Sequence, residues 1–381
     1  MPLTAPALAG RKVTFAATAV EGAPESYVWD FGDGQTAKGP RVRHIFARPG
    51  IYLVKVSVRQ GPFTDDCQAL VRVDTPETLH APQVLLDTDA KNEQDDQHYL
   101  AYALFSELDV LGVNSTHHGG GQEPINYGEI LRVIELAKQS GLPAARAPRV
   151  FHGANAPLEA PDSGDWRDTE PIVTEASEAI LAAARGASPD NPVWIVPVGP
   201  GANPASAILQ ALREGIDLRG RIRILWLGGS RDTISHDFNG RNDPWSIAVI
   251  GRSGIETWIM PAPVSARVAI DKRTEGHLYA NHPLGQYLKR IVPARPKALY
   301  DTTTPATIIS LRLGLGWVKS VEWIIVGGPE AGYRWRRTDK PGSVRVIRDI
   351  DQQAMKRDLF ETIKKRPTRL LGAPPVPRGL R

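Results

Sequence analysis

Cysteine, long apolar runs and a leader-like start are scarce or missing in this chain of 381 residues. Cys67 is the single cysteine, so an internal disulfide, a thiolate zinc site and an iron–sulfur cluster are excluded. No stretch reaches the roughly 18 consecutive apolar residues that a membrane-spanning helix needs. The start, Met1-Pro2-Leu3-Thr4, lacks a charged segment followed by an apolar one. These absences favour a soluble protein and leave its compartment open.

Charge is unevenly distributed along the chain. The formal net charge is +4, yet the segment from Arg334 to Arg381 alone holds 14 lysines and arginines against 5 acids. A basic end of this kind can approach nucleic acid, but it is more often a solvated helix face. We therefore expect no nucleic-acid partner. The hydrophobic content of 41% is enough for a sizeable core and excludes disorder for most of the chain.

Two residue patterns meet near Pro76. Before it, short runs rich in valine and aromatic residues alternate with glycine and proline turns, which predicts a small β-sandwich at residues 1–76. After it, strand-like and helical runs alternate, which predicts an α/β domain at residues 80–365 with an open, mostly parallel sheet and flanking helices. Residues 366–381 are basic and proline-rich, and we expect them to be disordered.

The first pattern contains Trp29-Asp30-Phe31-Gly32-Asp33-Gly34, followed by His44-Ile45-Phe46 and Pro49-Gly50-Ile51-Tyr52. Over about residues 6–74 it resembles the PKD domain, an immunoglobulin-like β-sandwich. Trp29 and Phe31 are two positions apart and should share one sheet face, while the glycines and aspartates suit a tight turn. We therefore interpret these aspartates as turn formers and not as metal ligands.

Nothing in this module places a nucleophile beside a base, so we do not expect it to be catalytic. We expect it to bind a protein or a glycan, or to act as a spacer. PKD domains usually occur in proteins that act outside the cytoplasm. The missing leader favours the cytoplasm or a truncated start instead. The localisation is therefore left open.

An acidic segment follows the first strand of the α/β part. The apolar run Val84-Leu85-Leu86 leads into Asp87, Asp89, Glu93, Asp95 and Asp96, five acids within ten residues. Open α/β sheets bind ligands at this end of their strands. Hard oxygen donors without cysteine or a nearby histidine indicate calcium or magnesium, and the number of carboxylates favours calcium. The alternative is a solvated loop in which Asp95 or Asp96 caps the next helix.

The acidic segment resembles the nucleoside hydrolase superfamily, including its inosine/uridine-preferring members, in which Asp-Thr-Asp is followed shortly by Asp-Asp. Here the halves are Asp87-Thr88-Asp89 and Asp95-Asp96, with two extra residues between them. The resemblance covers about residues 82–325. Further similar segments follow in the expected order: Leu111–Asn114, Phe151–Leu158, Val198–Asn203, Leu227–Gly229 with His236–Asn239, Asn242–Pro244, and Tyr300-Asp301.

The resemblance implies a glycosidase: calcium-dependent hydrolysis of the N-glycosidic bond of a ribonucleoside or related N-riboside by a metal-activated water, giving free sugar and base. Such an activity is typical of purine and pyrimidine salvage. It implies Asp89 as general base, with Asp95 holding the water or the sugar, and Asp87 as structural support. The implied ligands of one Ca²⁺ are Asp89, Asp96, Asp301 and the Val198 carbonyl. The implied sugar contacts are Asp95, Asn114, Asn126, Asp237 and Asn239.

Leaving-group activation is where the sequence departs most from the family. Tyr300 stands where some members have a proton-donating histidine. Tyr300 itself, His277 or His282 is the expected contact to the leaving base. The preferred base and sugar and a homo-oligomeric state are left open.

Two other functions compete with hydrolysis of a nucleoside. A non-catalytic or glycan-directed protein could bind sugar through the same acids. A haloacid-dehalogenase-like phosphatase would use Asp87 as nucleophile and Asp89 as acid. Asp95-Asp96 and the later segments do not belong to the phosphatase pattern, so it is the least favoured.

Overall fold

The computed structural model describes residues 7–10, 12–17, 24–48, 50–74, 81–230, 232–233 and 237–364. The predicted disordered tail, 366–381, lies outside the described residues, and so does His236. The chain divides into two compact units. One comprises Met1–His80 with Ser310–Leu315, and the other comprises Ala81–Ile309 with Gly316–Arg381.

The first unit is built from two β-sheets, as predicted. Among the described residues one sheet has the order β1-β7-β6-β3-β4 and the other pairs β2 with β5. The strands are β1 (Ala7–Leu8), β2 (Lys12–Ala16), β3 (Ser26–Asp30), β4 (Thr36–Lys38), β5 (Arg41–Ile45), β6 (Gly50–Gln60) and β7 (Phe63–Asp74). Trp29 and Phe31 are both buried in its core. Asp30 and Asp33 accept backbone hydrogen bonds from Gly32 and Gln35, which confirms them as turn formers.

The second unit contains a mixed sheet that is mostly parallel. Its order among the described residues is β10-β9-β8-β11-β12-β13-β18-β16-β17. The strands are β8 (Gln83–Thr88), β9 (Asp109–Ser115), β10 (Arg149–Phe151), β11 (Val193–Pro197), β12 (Ile222–Leu227), β13 (Thr257–Met260), β16 (Val318–Val326), β17 (Trp335–Arg337) and β18 (Val344–Ile350). A separate antiparallel pair joins β14 (Ala269–Ile270) and β15 (Lys297–Ala298). The order reverses between β8 and β11, and ligands bind at such a switch point in open α/β sheets.

Helices flank this sheet. They are α1 (Asp95–Phe105), α2 (Glu123–Gln139), α3 (Glu175–Gly186), α4 (Ala202–Arg213), α5 (Phe238–Asn242), α6 (Pro244–Arg252), α7 (Ala262–Ser265), α8 (Lys272–Glu275), α9 (Pro283–Ile291), α10 (Thr303–Leu313) and α11 (Gln352–Lys364). The local sequence explains where several of these helices begin. For example, α3 begins with a capping box between Thr174 and Ser177. In the described part of the chain no helix is long and apolar enough to span a membrane.

The antiparallel edge of the sheet is not evident from the sequence patterns. β16 pairs antiparallel with both β18 and β17, whereas β13 and β18 run parallel. Much of β16 is exposed, and its register with β18 shifts twice near Ser320. A half-exposed strand with irregular pairing has no clean alternation of apolar residues, so its sequence signal is weak.

Candidate active site

An acidic cavity of about 440 Å³ opens where the parallel strands end. Asp89 follows β8, Val198 follows β11, Leu227 ends β12 and Ala262 lies just after β13. The carboxyl ends of parallel strands meet at one edge of a sheet, which explains why residues distant in sequence converge here. Its acidic lining is Asp89, Glu93, Asp95, Asp96, Asp237 and Asp301, and its apolar lining includes Leu227, Phe238, Ala262, Pro263 and Ala266.

The local sequence places three of the acids. The strand β8 is buried throughout, so the chain delivers Asp89 to the cavity with its side chain only 1% exposed. Helix α1 then begins at Asp95, which puts Asp95 and Asp96 in its first turn, where the helix dipole favours carboxylates. The N-cap is Gln94, without a side-chain capping bond. The alternative that Asp95 or Asp96 caps this helix is therefore wrong.

Asp95, Asp96 and Asp301 form a buried cluster suited to a metal ion. Each offers one carboxylate oxygen, and the three oxygens lie within 4.8 Å of one another. Asp89 lines the same cavity, and its Oδ2 atom is buried without a hydrogen-bond partner among the described residues. Buried carboxylates normally find a partner. An all-oxygen donor set with an unpaired buried oxygen fits a hard divalent cation.

Burial and mutual repulsion dominate the electrostatics of these acids. Desolvation, followed by the charge of Asp96, raises the pKa of Asp89 well above its usual range. Desolvation and neighbouring carboxylates likewise raise the pKa of Asp95 and of Asp301. Burial raises the pKa of Asp96 to about 6, although the Thr88 hydroxyl donates to Asp96 at 2.5 Å and opposes the shift. A divalent cation would reverse these shifts, because it favours the ionised form.

The metal-free protein is therefore expected to lose stability as the pH rises from 5 to 8. A carboxyl whose pKa is raised on folding binds its proton more tightly in the folded state, so its stabilising contribution is lost as the pH rises from its unfolded value through its folded value. For Asp96, whose pKa rises to about 6, this contributes on the order of 2 kcal/mol. Chemical unfolding after chelation measures it. If the free energy of unfolding of the metal-free protein rose over this pH range, the raised pKa values of the buried carboxyls would be contradicted.

On the side of the cavity formed by the ends of β11 and β12 lie Val198, Asp237 and Asn239, whose polar atoms are already engaged. The Asn239 side-chain amide donates to the carbonyl of Val198 at 2.5 Å and to that of Leu227 at 3.0 Å. Asp237 caps helix α5 and also accepts from the backbone of Gly229. Burial raises the pKa of Asp237 to about 6. The expected sugar contacts therefore double as structural groups here.

Gly199 allows the chain after β11 to approach Asp89 closely. A Cβ atom added at Gly199 would lie 2.9 Å from Asp89 Oδ1 and 2.8 Å from the Thr116 methyl group. Both contacts are closer than van der Waals packing allows. The glycine therefore follows Val198 because any side chain there would displace the Asp89 carboxylate.

Asp87 supports the cavity from behind and does not line it. It is fully buried, and its Oδ2 accepts from the Asn203 side chain at 2.8 Å. Asn203 also donates to the Ser115 carbonyl and accepts from the backbone of Ala154, so it ties three segments together. Burial raises the pKa of Asp87 to about 7. A buried, bound Asp87 cannot attack a phosphate, which counts against the phosphatase alternative.

Asn114 and Asn126, the weaker sugar candidates, are both buried outside the cavity lining. Asn114 lies opposite Asp87 in the register of β8 and β9. Asn126 accepts from the backbone of Lys91 at 3.0 Å and donates to the Thr116 carbonyl at 2.7 Å. The structure therefore places Asn126 as a brace between two loops.

A buried network that sequence reasoning missed holds the loop between Asp89 and Asp95. Glu129 on α2 accepts from Lys91 and Gln97, both at 3.3 Å, and from the Tyr287 hydroxyl of α9. Gln97 in turn donates to the Ala90 carbonyl at 2.7 Å. The signal available in the sequence was a glutamate on the otherwise apolar, buried side of an amphipathic helix. The sequence could not show its partners, because they come from two other helices.

Replacing Glu129 by alanine is expected to destabilise the protein by about 2 kcal/mol, because Gln97 and Tyr287 are left buried without their acceptor. Thermal or urea unfolding measures the loss. The matched control is Glu135→Ala on the same helix, an exposed residue paired with Lys138, which should change stability by less than about 0.5 kcal/mol. Equal effects of the two variants would show that Glu129 braces nothing.

The leaving-group candidates separate in space. Tyr300 lines the acidic cavity beside Asp301. His282 caps α9, where its ring accepts from Gly285 and bonds the Ile363 carbonyl at 2.9 Å. His277 is exposed in the short turn Gly276–Leu278. Neither histidine lines the cavity. Of the three candidates, Tyr300 alone lies where it could contact a leaving base.

Two family models match this chain. Residues 84–357 match the family described as inosine-uridine preferring nucleoside hydrolase, and residues 4–74 match the PKD domain. No curated protein matches this sequence.

Solved structures show the same fold. A plant nucleoside hydrolase is 18% identical and covers 74% of this chain and 99% of its own, with a TM-score of 0.57. A purine-preferring ribonucleoside hydrolase from Gardnerella vaginalis is 17% identical, with 74% and 98% covered and a TM-score of 0.56. An inosine-uridine preferring nucleoside hydrolase from Bacillus anthracis is 19% identical, with 74% and 99% covered and a TM-score of 0.54.

Proposed function

Because this chain belongs to the inosine-uridine preferring nucleoside hydrolase family and carries an N-terminal PKD domain, we propose that it hydrolyses the N-glycosidic bond of a ribonucleoside or related N-riboside with one calcium ion as cofactor. The family makes the protein a glycosyl hydrolase. The observation that carries the proposal is the convergence of Asp89, Asp95, Asp96 and Asp301 in one cavity at the strand ends.

In the proposed mechanism, Asp89 is the general base. Its buried Oδ2 has no hydrogen-bond partner in the described part of the chain, so it can accept the proton of the attacking water. Asp89, Asp96, Asp301 and the Val198 carbonyl would hold calcium, so Asp89 would serve as both ligand and base. The chemistry that calcium would supply there is a lowered pKa for a bound water and an anchor for the sugar hydroxyls.

Asp95 and Asp237 would orient the sugar, with Asn239 beside them. The sugar ring passes through an oxocarbenium-like state as the C–N bond breaks, and surrounding carboxylates favour that positive charge.

The PKD domain is assigned no part in the chemistry. Its buried aromatic core and turn-forming aspartates are structural, and we propose that it binds a protein or glycan or acts as a spacer.

The test is release of reducing sugar from purine and pyrimidine ribonucleosides, with calcium and after chelation. Release that needs calcium is expected. A folded protein that binds calcium and cleaves none of them would contradict the proposed function.

A further inference from the structure

The loop that follows β12 supplies two residues of the cavity lining, Ser230 and Asp237. Gly229 joins the two ends of this loop, because its backbone N–H donates to the Asp237 carboxylate. The Gly229 carbonyl accepts from the backbone of Ala262 at 3.0 Å, and Ala262 also lines the cavity. The position of Gly229 therefore decides where the Asp237 carboxylate lies.

The indole of Trp335, on the outer strand β17, covers Gly229. A Cβ atom added at Gly229 would lie 2.4 Å from Trp335 Cη2, so no side chain fits between them. Gly229 also has a φ of +81°, a left-handed conformation that glycine adopts without strain. Trp335 is 5% exposed and packs in the same buried core as Trp226 and Val344. The core thus holds the indole, and the indole holds Gly229.

The hairpin of β16 and β17 also pairs with this loop through hydrogen bonds. The backbone N–H of Trp335 donates to the Asp232 carbonyl at 2.8 Å, and Thr233 forms an antiparallel bridge with Arg334. The buried Thr233 hydroxyl donates to the Tyr333 carbonyl at 3.2 Å. Arg334 Nη1 lies 3.3 Å from Asp232 Oδ2. The loop therefore extends the antiparallel edge of the sheet, and the hairpin is its support.

The turn of the hairpin contains a strained residue. Tyr333 has a φ of 54° and is the one non-glycine residue with a positive φ in the described part of the chain. A side chain makes this conformation unfavourable, and it persists only where surrounding contacts impose it. Here the backbone N–H of Tyr333 donates to the Gly328 carbonyl at 2.9 Å, and its carbonyl accepts from Thr233. These contacts outweigh the strain and keep the hairpin against the loop.

We propose that Trp335 is a positioning residue for the sugar site: by holding Gly229 it sets the position of Asp237 and so the affinity for the ribose ring. The inference rests on the proposed hydrolase function, in which Asp237 orients the sugar. Trp335 itself lies outside the cavity lining. The proposed calcium ligands belong to other segments of the chain, so the contact should act on the sugar and not on the metal.

A Trp335→Leu variant of the full chain tests the inference with inosine and uridine as substrates. The KM is expected to rise roughly tenfold while kcat changes less than about threefold, because a sugar contact is displaced and the base is untouched. Trp335→Phe keeps a ring over Gly229 and should recover most of the wild-type KM. Calcium affinity, measured by calorimetry, should stay within about twofold, because the ligands lie on separate segments.

The matched control is Ile324→Ala on the neighbouring strand β16. Ile324 is 3% exposed and belongs to the same buried core, so its truncation should lower the melting temperature. Its KM should equal that of the wild type. A KM that rises equally in Ile324→Ala and Trp335→Leu would overturn the inference, because a general loss of packing would explain both. A wild-type KM in Trp335→Leu would overturn it as well.

Gly229→Ala alters the same contact from the loop and covers the case in which Trp335→Leu does not fold. The added methyl group meets the indole, so KM should again rise, and an unchanged KM would contradict the inference. In the double variant the two KM effects should not multiply, because both act through one contact. Multiplying effects would also contradict it. If the wild-type protein cleaved no ribonucleoside, the hydrolase function would fail and the inference with it; every other outcome leaves that function standing.

Discussion

An Asp89→Asn variant is expected to lose roughly 10³-fold in kcat, because an amide cannot take the proton of the attacking water and general-base catalysis contributes about that much. The side chain keeps its shape and sits in a buried position with one unpaired oxygen. Sugar release at saturating calcium measures kcat. Calcium affinity, measured by calorimetry in parallel, separates loss of the base from loss of the metal.

The matched control for Asp89 is Asp109→Asn, at the amino-terminal end of β9 and therefore at the opposite edge of the sheet. Asp109 is also partly buried, and burial raises its pKa. Its replacement should leave kcat within about twofold. An Asp89→Asn or Asp89→Ala variant that kept full activity would refute the assigned base.

An Asp301→Asn variant is expected to change stability in opposite directions with and without calcium. In the metal-free protein at pH 8 it removes a buried carboxylate that repels Asp95, Asp96 and Asp89, so the melting temperature should rise. In the wild type, calcium at a thousandfold excess over its Kd should add about 4 kcal/mol of stability. The variant should lose most of that gain. Differential scanning calorimetry with calcium and with chelator measures both effects.

The control for Asp301 is Asp349→Asn, an exposed acid that pairs with Arg267 at 2.5 Å. An exposed pair contributes little, so neither melting temperature should move by more than the equivalent of about 0.5 kcal/mol. If Asp301→Asn kept the full calcium-induced rise in melting temperature, Asp301 would not be a ligand.

Much of the fold was readable in the sequence because periodicity and strand-end chemistry are local. The apolar run before Asp87 predicted a buried strand, and β8 is buried along its whole length. The run Ile222–Leu227 is also apolar apart from Arg223, and it forms β12. Helix starts without a capping side chain are harder to read from the sequence. The start of α1 at Asp95 depends on Gln94, which lacks the side-chain bond that marks many N-caps.

The sequence by itself determined the two-part organisation, the acidic segment after β8 and the family to which the larger part belongs. These follow from the order and type of neighbouring residues. Only the tertiary structure decided which distant groups share the cavity. It brings Asp301 to Asp95 and Asp96, sets Glu93 against Lys297, and removes His277 and His282 from the lining. The physical reason is that these contacts join strand ends, loops and helices far apart in the chain, whose meeting depends on packing and not on local pattern.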